Sequence, residues 1–315
     1  MIRVDPMFNE AILTLAWFAA VNAVASIMVL IAARFFADRV GADPRRARLL
    51  VLTRLAPSAL GAIAAVGIFL PAHLRLEPPR ADEWLGPWTL TVGMCGIALV
   101  LRSACQLAAA WHRSARLVRD TGRDIRTGRF CMTEVPLLPG IALAGIVRPR
   151  ILIGTPARRL LSGEELEVAL AHELAHQEMG DNVTRMLMRC APDFLAGTPA
   201  ARRLESLWAG EAECLADAAA VGDSPTRAAQ LASALVKIGR LAAGTPQWSP
   251  EWSALHHPAL LELRVRRLVS GTPVVAGSSR WFRLATAMSA TAVTVAWSLG
   301  LPTELHWLTE RLLQS

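Results

Sequence analysis

Tyrosine is absent from the 315 residues, and lysine occurs once, at Lys237. The first absence removes the phenol as a hydrogen-bond donor to any developing negative charge. The second means that the formal net charge of +7 comes almost wholly from arginine. Cysteine is sparse as well: Cys95, Cys105, Cys131, Cys190 and Cys214 are odd in number and nowhere spaced C-x-x-C. That pattern excludes a disulfide framework and a structural zinc knuckle. No internal repeat or low-complexity tract occurs, and the alanine-rich stretches have helix composition.

What the chain has in quantity is apolar surface, with 53% hydrophobic residues and a mean hydropathy of +0.36. Residues 11–33 carry no charge and at helical rise exceed the roughly 30 Å of a bilayer core. Ala23-Val24-Ala25 resembles a signal-cleavage site, but the preceding segment is not basic and the apolar run continues past it, so a span is expected. A second uncharged run covers 55–74, with Pro57 and Pro71 near its ends. A third covers 84–111, where Arg102 is expected to reach the headgroups with its long side chain. The fourth, 284–303, is rich in small residues that let helices pack closely. Four membrane spans are expected, three before a polar central segment and one after it.

The arginines give these spans a direction. Residues 34–54 hold six arginines against two aspartates, residues 75–83 two arginines against three acids, and residues 112–129 again six against two. An excess of basic residues marks the cytoplasmic side. The expected layout is a membrane region over 1–111, a cytoplasmic domain over 112–279, and a last span with a short tail over 280–315, both termini outside. The basic balance is then a matter of topology, and no direct nucleic-acid partner is expected.

The central segment carries the chemistry. Ser162 with Glu165 three residues on is a capping box, so a helix starts there, and Gly180 can end it. Within that helix runs His172-Glu173-Leu174-Ala175-His176. Two imidazoles one turn apart on one face suit a zinc ion, and the glutamate beside them can take a proton from a water at the metal. Zinc then needs a third protein ligand. The helix expected over 201–221 offers Glu213 and Asp217 one turn apart, an arrangement of like charges that a nearby cation explains. Glu213 is assigned to the metal and Asp217 to holding a ligand histidine or another active-site group in place. Glu211 is the rival ligand, on another side of the helix. Asp181 is expected to cap or anchor the helix end. Residues 130–135 and 151–154 read as strands of a small sheet, 181–199 as irregular, 224–241 as a further helix and 248–258 as loop.

AHELAHQEMGDN, preceded by GIVRPRILIG and SGEELEVAL and followed by ECLAD, resembles the M56 metallopeptidases, the BlaR1/MecR1 group of antirepressor sensor-transducers. E-x-x-A-D and His257-Pro258 followed by Arg264 also resemble the M48 group of HtpX and Ste24-like proteases. The absence of an apolar run between His176 and Glu213 favours M56. The resemblance implies an α+β architecture: a four-helix transmembrane region with an inserted, mainly α gluzincin-type domain carrying a small β-sheet. It also implies a place in the bacterial cytoplasmic membrane, with zinc held by His172, His176 and Glu213 and with Glu173 as general base. A BlaI-type winged-helix repressor would be the protein substrate. In place of tyrosine, His257 is the expected oxyanion donor, with His256, Arg264 and a backbone N–H as alternatives. The extracellular penicillin-binding domain of the β-lactam sensors has no counterpart, and Ala234 stands where a serine would precede Lys237 in S-x-x-K. Membrane-protein quality control, or zinc-dependent binding without cleavage, are the other functions in view.

Overall fold

Proline and glycine punctuate the chain where its helices begin and turn. The computed structural model describes residues 2–3, 6–76, 84–119, 123–127, 130–136, 138–146, 149–243 and 258–271. Helix α1 spans Pro6–Ala32 and is followed by a 3-10 turn, Ala33–Phe35. Helix α2 spans Pro44–Ala62, passes into a π-helical segment, Ile63–Phe69, and continues as α3, Leu70–Leu76. Helix α4 spans Pro87–Arg119. Two short strands, β1 (Ile2–Arg3) and β2 (Trp84–Leu85), pair antiparallel beside these helices.

Three stretches, Phe8–Phe35, Pro44–Arg75 and Pro87–Ser114, are long and apolar enough to cross a membrane. Large apolar side chains such as Val24, Met28, Leu60 and Val66 face outward along them. Length and composition mark a membrane protein. Backbones approach closely at glycine: a Cβ on Gly96 of α4 would lie 2.4 Å from the Leu15 carbonyl oxygen of α1.

The second of these helices starts earlier than its charge-free run, 55–74, predicts. Asp43 caps it by accepting from Arg45 N at 2.9 Å, and Pro44 opens the first turn. Arg45, Arg46, Arg48 and Arg54, which the sequence reading puts in a loop, therefore lie on helix. Arg46 and Arg54 neutralise their charge against carboxylates of later elements, which an apolar-run criterion does not register. The expected fourth span, 284–303, lies outside the described residues.

The second half of the chain is mainly helical with one mixed sheet. Its strands β3 (Arg123–Thr127), β4 (Phe130–Val135), β5 (Ile141–Ala144) and β6 (Arg150–Gly154) lie in the order β3-β4-β6-β5. β4 and β6 run parallel, and the other neighbours are antiparallel. Then come α5 (Thr155–Leu160), α6 (Gly163–Met179), α7 (Asp181–Cys190), α8 (Pro199–Val221), α9 (Pro225–Ala243) and α10 (Pro258–Ser270). The stretch read as irregular, 181–199, thus holds a ten-residue helix in its first half. It escaped notice because its N-cap is Gly180 in the left-handed conformation rather than a polar side chain.

Leu166, Ala169 and Leu170 of α6 pack on Met132, Ile141, Ile151 and Ile153 of the sheet and on Ala234 of α9. A second core joins the two halves of the molecule: Val29 and Leu50 meet Met188, Leu195, Leu204 and Trp208. Arg102 Nη2 donates to the Ala191 and Asp193 carbonyls at 2.9 and 3.0 Å, so the third long helix is bonded to the segment after α7.

Candidate metal centre

Helix α6 begins as its sequence dictates. Ser162 Oγ accepts from Glu165 N at 3.2 Å, and Glu165 Oε2 accepts from Ser162 N at 2.8 Å. Glu165 is further fixed by Lys237 Nζ, 2.7 Å from both its oxygens, and by Ser233 Oγ at 2.7 Å. Burial favours the neutral acid, but Lys237 and Ser233 hold the Glu165 carboxyl below the usual range. The sole lysine thus locks the start of the helix that carries the two histidines. Gly180, with φ of 70°, ends it and turns the chain back along its last turn.

That turn brings Asp181 to His176. Asp181 Oδ2 lies 2.6 Å from His176 Nδ1, which favours the proton on Nδ1 and leaves Nε2 free to donate its lone pair. Asp217 Oδ1 lies 3.0 Å from His172 Nδ1, within ion-pair range though off the line of a regular hydrogen bond. Each histidine therefore has its own carboxylate behind it. Glu213 stands in front of both, 3.5 Å from His172 Nε2 and 3.6 Å from His176 Nε2. The two Nε2 atoms are 3.1 Å apart.

Zinc bonds of about 2.1 Å put two tetrahedral ligand atoms about 3.4 Å apart. The Nε2 pair at 3.1 Å is close to that, and each imidazole has its own Glu213 oxygen in front of it, Oε2 at 3.5 Å from His172 and Oε1 at 3.6 Å from His176. His172, His176 and Glu213 are all buried, and their ligand atoms converge within 4.8 Å, so the group can hold a metal ion.

Arg264, from α10, closes the site from the far side. Its Nη1 lies 2.8 Å from Glu213 Oε2, and its Nε and Nη2 donate to Asp217 at 2.8 and 2.6 Å. The guanidinium is buried with both carboxylates, so it orders the ligand carboxylate and the one behind His172 together. These bonds take up three of the five N–H donors of Arg264. His257, the expected oxyanion donor, and His256 lie outside the described residues.

Electrostatics within the group are strongly coupled. Burial alone pushes the His176 imidazole down, but Glu213 and Asp181 outweigh it and raise its pKa to about 10. His172 is likewise raised by Asp217 and Glu213 against its burial. Burial favours a neutral Glu213, yet Arg264 and His176 hold its carboxyl well below the usual range. Asp217 is brought down to about 2, the Arg264 charge overriding its desolvation. Three carboxylates, Glu213, Asp181 and Asp217, thus draw protons onto the imidazoles that a metal would displace.

Glu173 is half-buried beside His172 on α6. Glu211, the rival ligand, is fully buried and points away: it accepts from Gly41 N at 3.1 Å, Asp43 N at 3.0 Å and Arg46 Nη1 at 3.1 Å. Two residues of the site escaped sequence reasoning. Asp181 was read only as a helix-end anchor, although a left-handed turn at Gly180 signals that residue 181 folds back on the preceding turn. Arg185, one turn along α7, has its Cζ 5.7 Å from the Trp208 ring centroid and pairs with no carboxylate among the described residues. Burial lowers its pKa, opposed by the charges of Glu213, Asp181 and Glu173. No sequence pattern marks it. No protein-family model matches the chain, and neither does any curated protein.

Proposed function

We propose that the protein is a membrane-bound zinc endopeptidase that cleaves a cytoplasmic protein. The observation that carries this reading is the convergence of His172, His176 and Glu213, with a glutamate, Glu173, next to the first ligand on the same helix. Zinc is the metal of choice for two imidazoles and a carboxylate in tetrahedral reach, where it polarises a carbonyl and acidifies a water. Asp181 would keep the His176 ring proton on Nδ1, and the Asp217 charge beside His172 Nδ1 would favour the same tautomer there, leaving both Nε2 lone pairs for a bound metal. Glu173 takes the proton of the attacking water and returns it to the leaving amine. The negative charge that develops on the carbonyl oxygen needs a cationic or N–H donor. Arg185, one turn along α7 from Asp181 and without a carboxylate partner among the described residues, supports that role alongside His257.

The arginine excess in residues 112–129 supports a cytoplasmic active site, although the same argument is weaker for 34–54 because Arg46 and Arg54 have buried partners. By its resemblance to the M56 sensors, the substrate would be a winged-helix transcriptional repressor, and the protein a transmembrane signalling protease in a bacterial cytoplasmic membrane.

The test is a Glu173→Ala protein expressed from its own locus. Zinc content should stay at the wild-type level while one cytoplasmic protein accumulates at full length in the proteome. Retained zinc with an unchanged proteome would reject catalysis and leave a zinc-binding adaptor.

A further inference from the structure

Two carboxylates outside the metal group are fully buried and bound by the membrane-length helices or the turn between them. Asp193 accepts from Arg54 Nη1 at 2.7 Å and Ser58 Oγ at 3.1 Å, both on α2. The backbone around it is held by the other two long helices. Asn22 of α1 donates to the Pro192 carbonyl at 2.9 Å and accepts from Phe194 N at 3.3 Å. Arg102 of α4 donates to the Ala191 and Asp193 carbonyls, and its neighbour Ser103 donates to that of Cys190. All three membrane-length helices thus grip one loop, Cys190 to Phe194. Glu211, the second carboxylate, accepts from Gly41 N, Asp43 N and Arg46 in the turn between α1 and α2 and the start of α2. A Cβ on Gly210 would sit 2.9 Å from a Val40 methyl, so α8 lies directly on that turn.

Each carboxylate shares an element with a group of the metal site. Helix α7 runs from Asp181, which holds His176, to Cys190, where the gripped loop begins; its ten residues make a rod about 15 Å long. On α8, Glu211 and Glu213 are two residues apart and so project from roughly opposite sides. One faces the α1–α2 turn, and the other faces the histidines. Buried ion pairs contribute little net stability over apolar packing, but they fix position.

We propose that Asp193 and Glu211 are positioning residues for the metal centre. They tie α7 and α8 to the membrane-length helices and, through them, fix Asp181 and Glu213. The arrangement of those helices then sets the metal affinity. This rests on the reading that the site binds zinc.

The test uses the full chain in lipid nanodiscs, with zinc affinity measured by chelator competition. Asp193→Asn and Glu211→Gln keep shape and remove charge. Each should weaken zinc binding roughly 10–100-fold, the effect of losing a group that orients a ligand. The Asp193→Asn effect should shrink in an Asp181→Asn background. Arg158→Gln, which breaks an exposed pair with Glu134, should stay within about twofold of wild type. Should Asp193→Asn fail to fold, Asn22→Ala removes two bonds to the same loop, leaves the ion pair, and carries the same expectation. A purely structural contact would lower the unfolding temperature and leave the affinity of the folded protein unchanged, which overturns the proposal. So do Asp193→Asn and Asp181→Asn effects that multiply independently. A wild-type protein that takes up no zinc overturns this inference and the peptidase reading together; normal wild-type uptake with unaffected variants overturns the inference alone.

Discussion

Two buried arginines invite comparison. Arg54 bridges Asp193 and Glu205 at 2.7 and 3.1 Å, and Arg264 bridges Glu213 and Asp217 at 2.8 and 2.6 Å. Both join distant parts of the chain, and both sit in largely apolar surroundings. The difference is what else converges. Around Arg54 the bonds run between α2, the 190–194 loop and α8, and no imidazole is among them. Around Arg264 two imidazoles also point their Nε2 atoms at one spot, and their protons are held there only by the adjoining carboxylates. A buried charge cluster alone therefore does not mark a metal site; lone pairs aimed at a common point do.

The sharpest way to separate the two clusters is to remove a convergent group. His176→Ala or Glu213→Ala should take bound zinc from one equivalent to near none, read by elemental analysis of purified protein, while Arg54→Leu should leave it measurable. An unchanged stoichiometry in Glu213→Ala would reject its assignment as ligand. Next in size is Glu173→Gln, expected to cut peptide hydrolysis roughly 10²–10⁴-fold at constant zinc content.

Arg54→Leu leaves Asp193 buried without its cation and should destabilise the fold by roughly 3–5 kcal/mol, seen as a lower unfolding midpoint in detergent. Asp181→Asn, which touches a ligand histidine directly, should weaken zinc binding by roughly 10–100-fold with a smaller change in the unfolding midpoint.

The smallest effect is on pH dependence. In chelator-treated protein His176 has its pKa raised to about 10, above its ordinary 6.5. A raised pKa means that this contribution to stability is complete below pH 6.5 and is lost as pH climbs toward 10. The unfolding temperature of chelated protein should fall across that window. Zinc-loaded protein should show no such fall, because the metal occupies the nitrogen that would carry the proton. Parallel curves with and without chelator would contradict a metal at these imidazoles.

How far the sequence disclosed all this depended on the range of each interaction. His172, Glu173 and His176 lie within one helical turn, and the capping box fixes that helix, so their grouping was readable. Glu213 and Asp217 were readable as a like-charged pair in want of a cation. Arg264 was noticed only by resemblance, and its pairing with Asp217, 47 positions away, could not be read from spacing. Asp193 escaped notice entirely, since its partner Arg54 is 139 positions distant and lies at the edge of an apolar run. Strands β3 and β5 are short and owe their form to pairing with β4 and β6 rather than to their own pattern.

The π-helical segment Ile63–Phe69 has a consequence for how this chain can change. Its wider turns hold about one residue more than an α-helix of the same rise requires. A one-residue deletion inside it would relax that stretch to ordinary α-helix and leave both flanks in register, with Arg54 still on Asp193 below and α3 unturned above. The same deletion in α1 would rotate everything beyond it by about 100° and part Asn22 from the 190–194 loop. The second long helix thus contains a place where one residue can be lost without turning its flanks, and the first, by this geometry, does not.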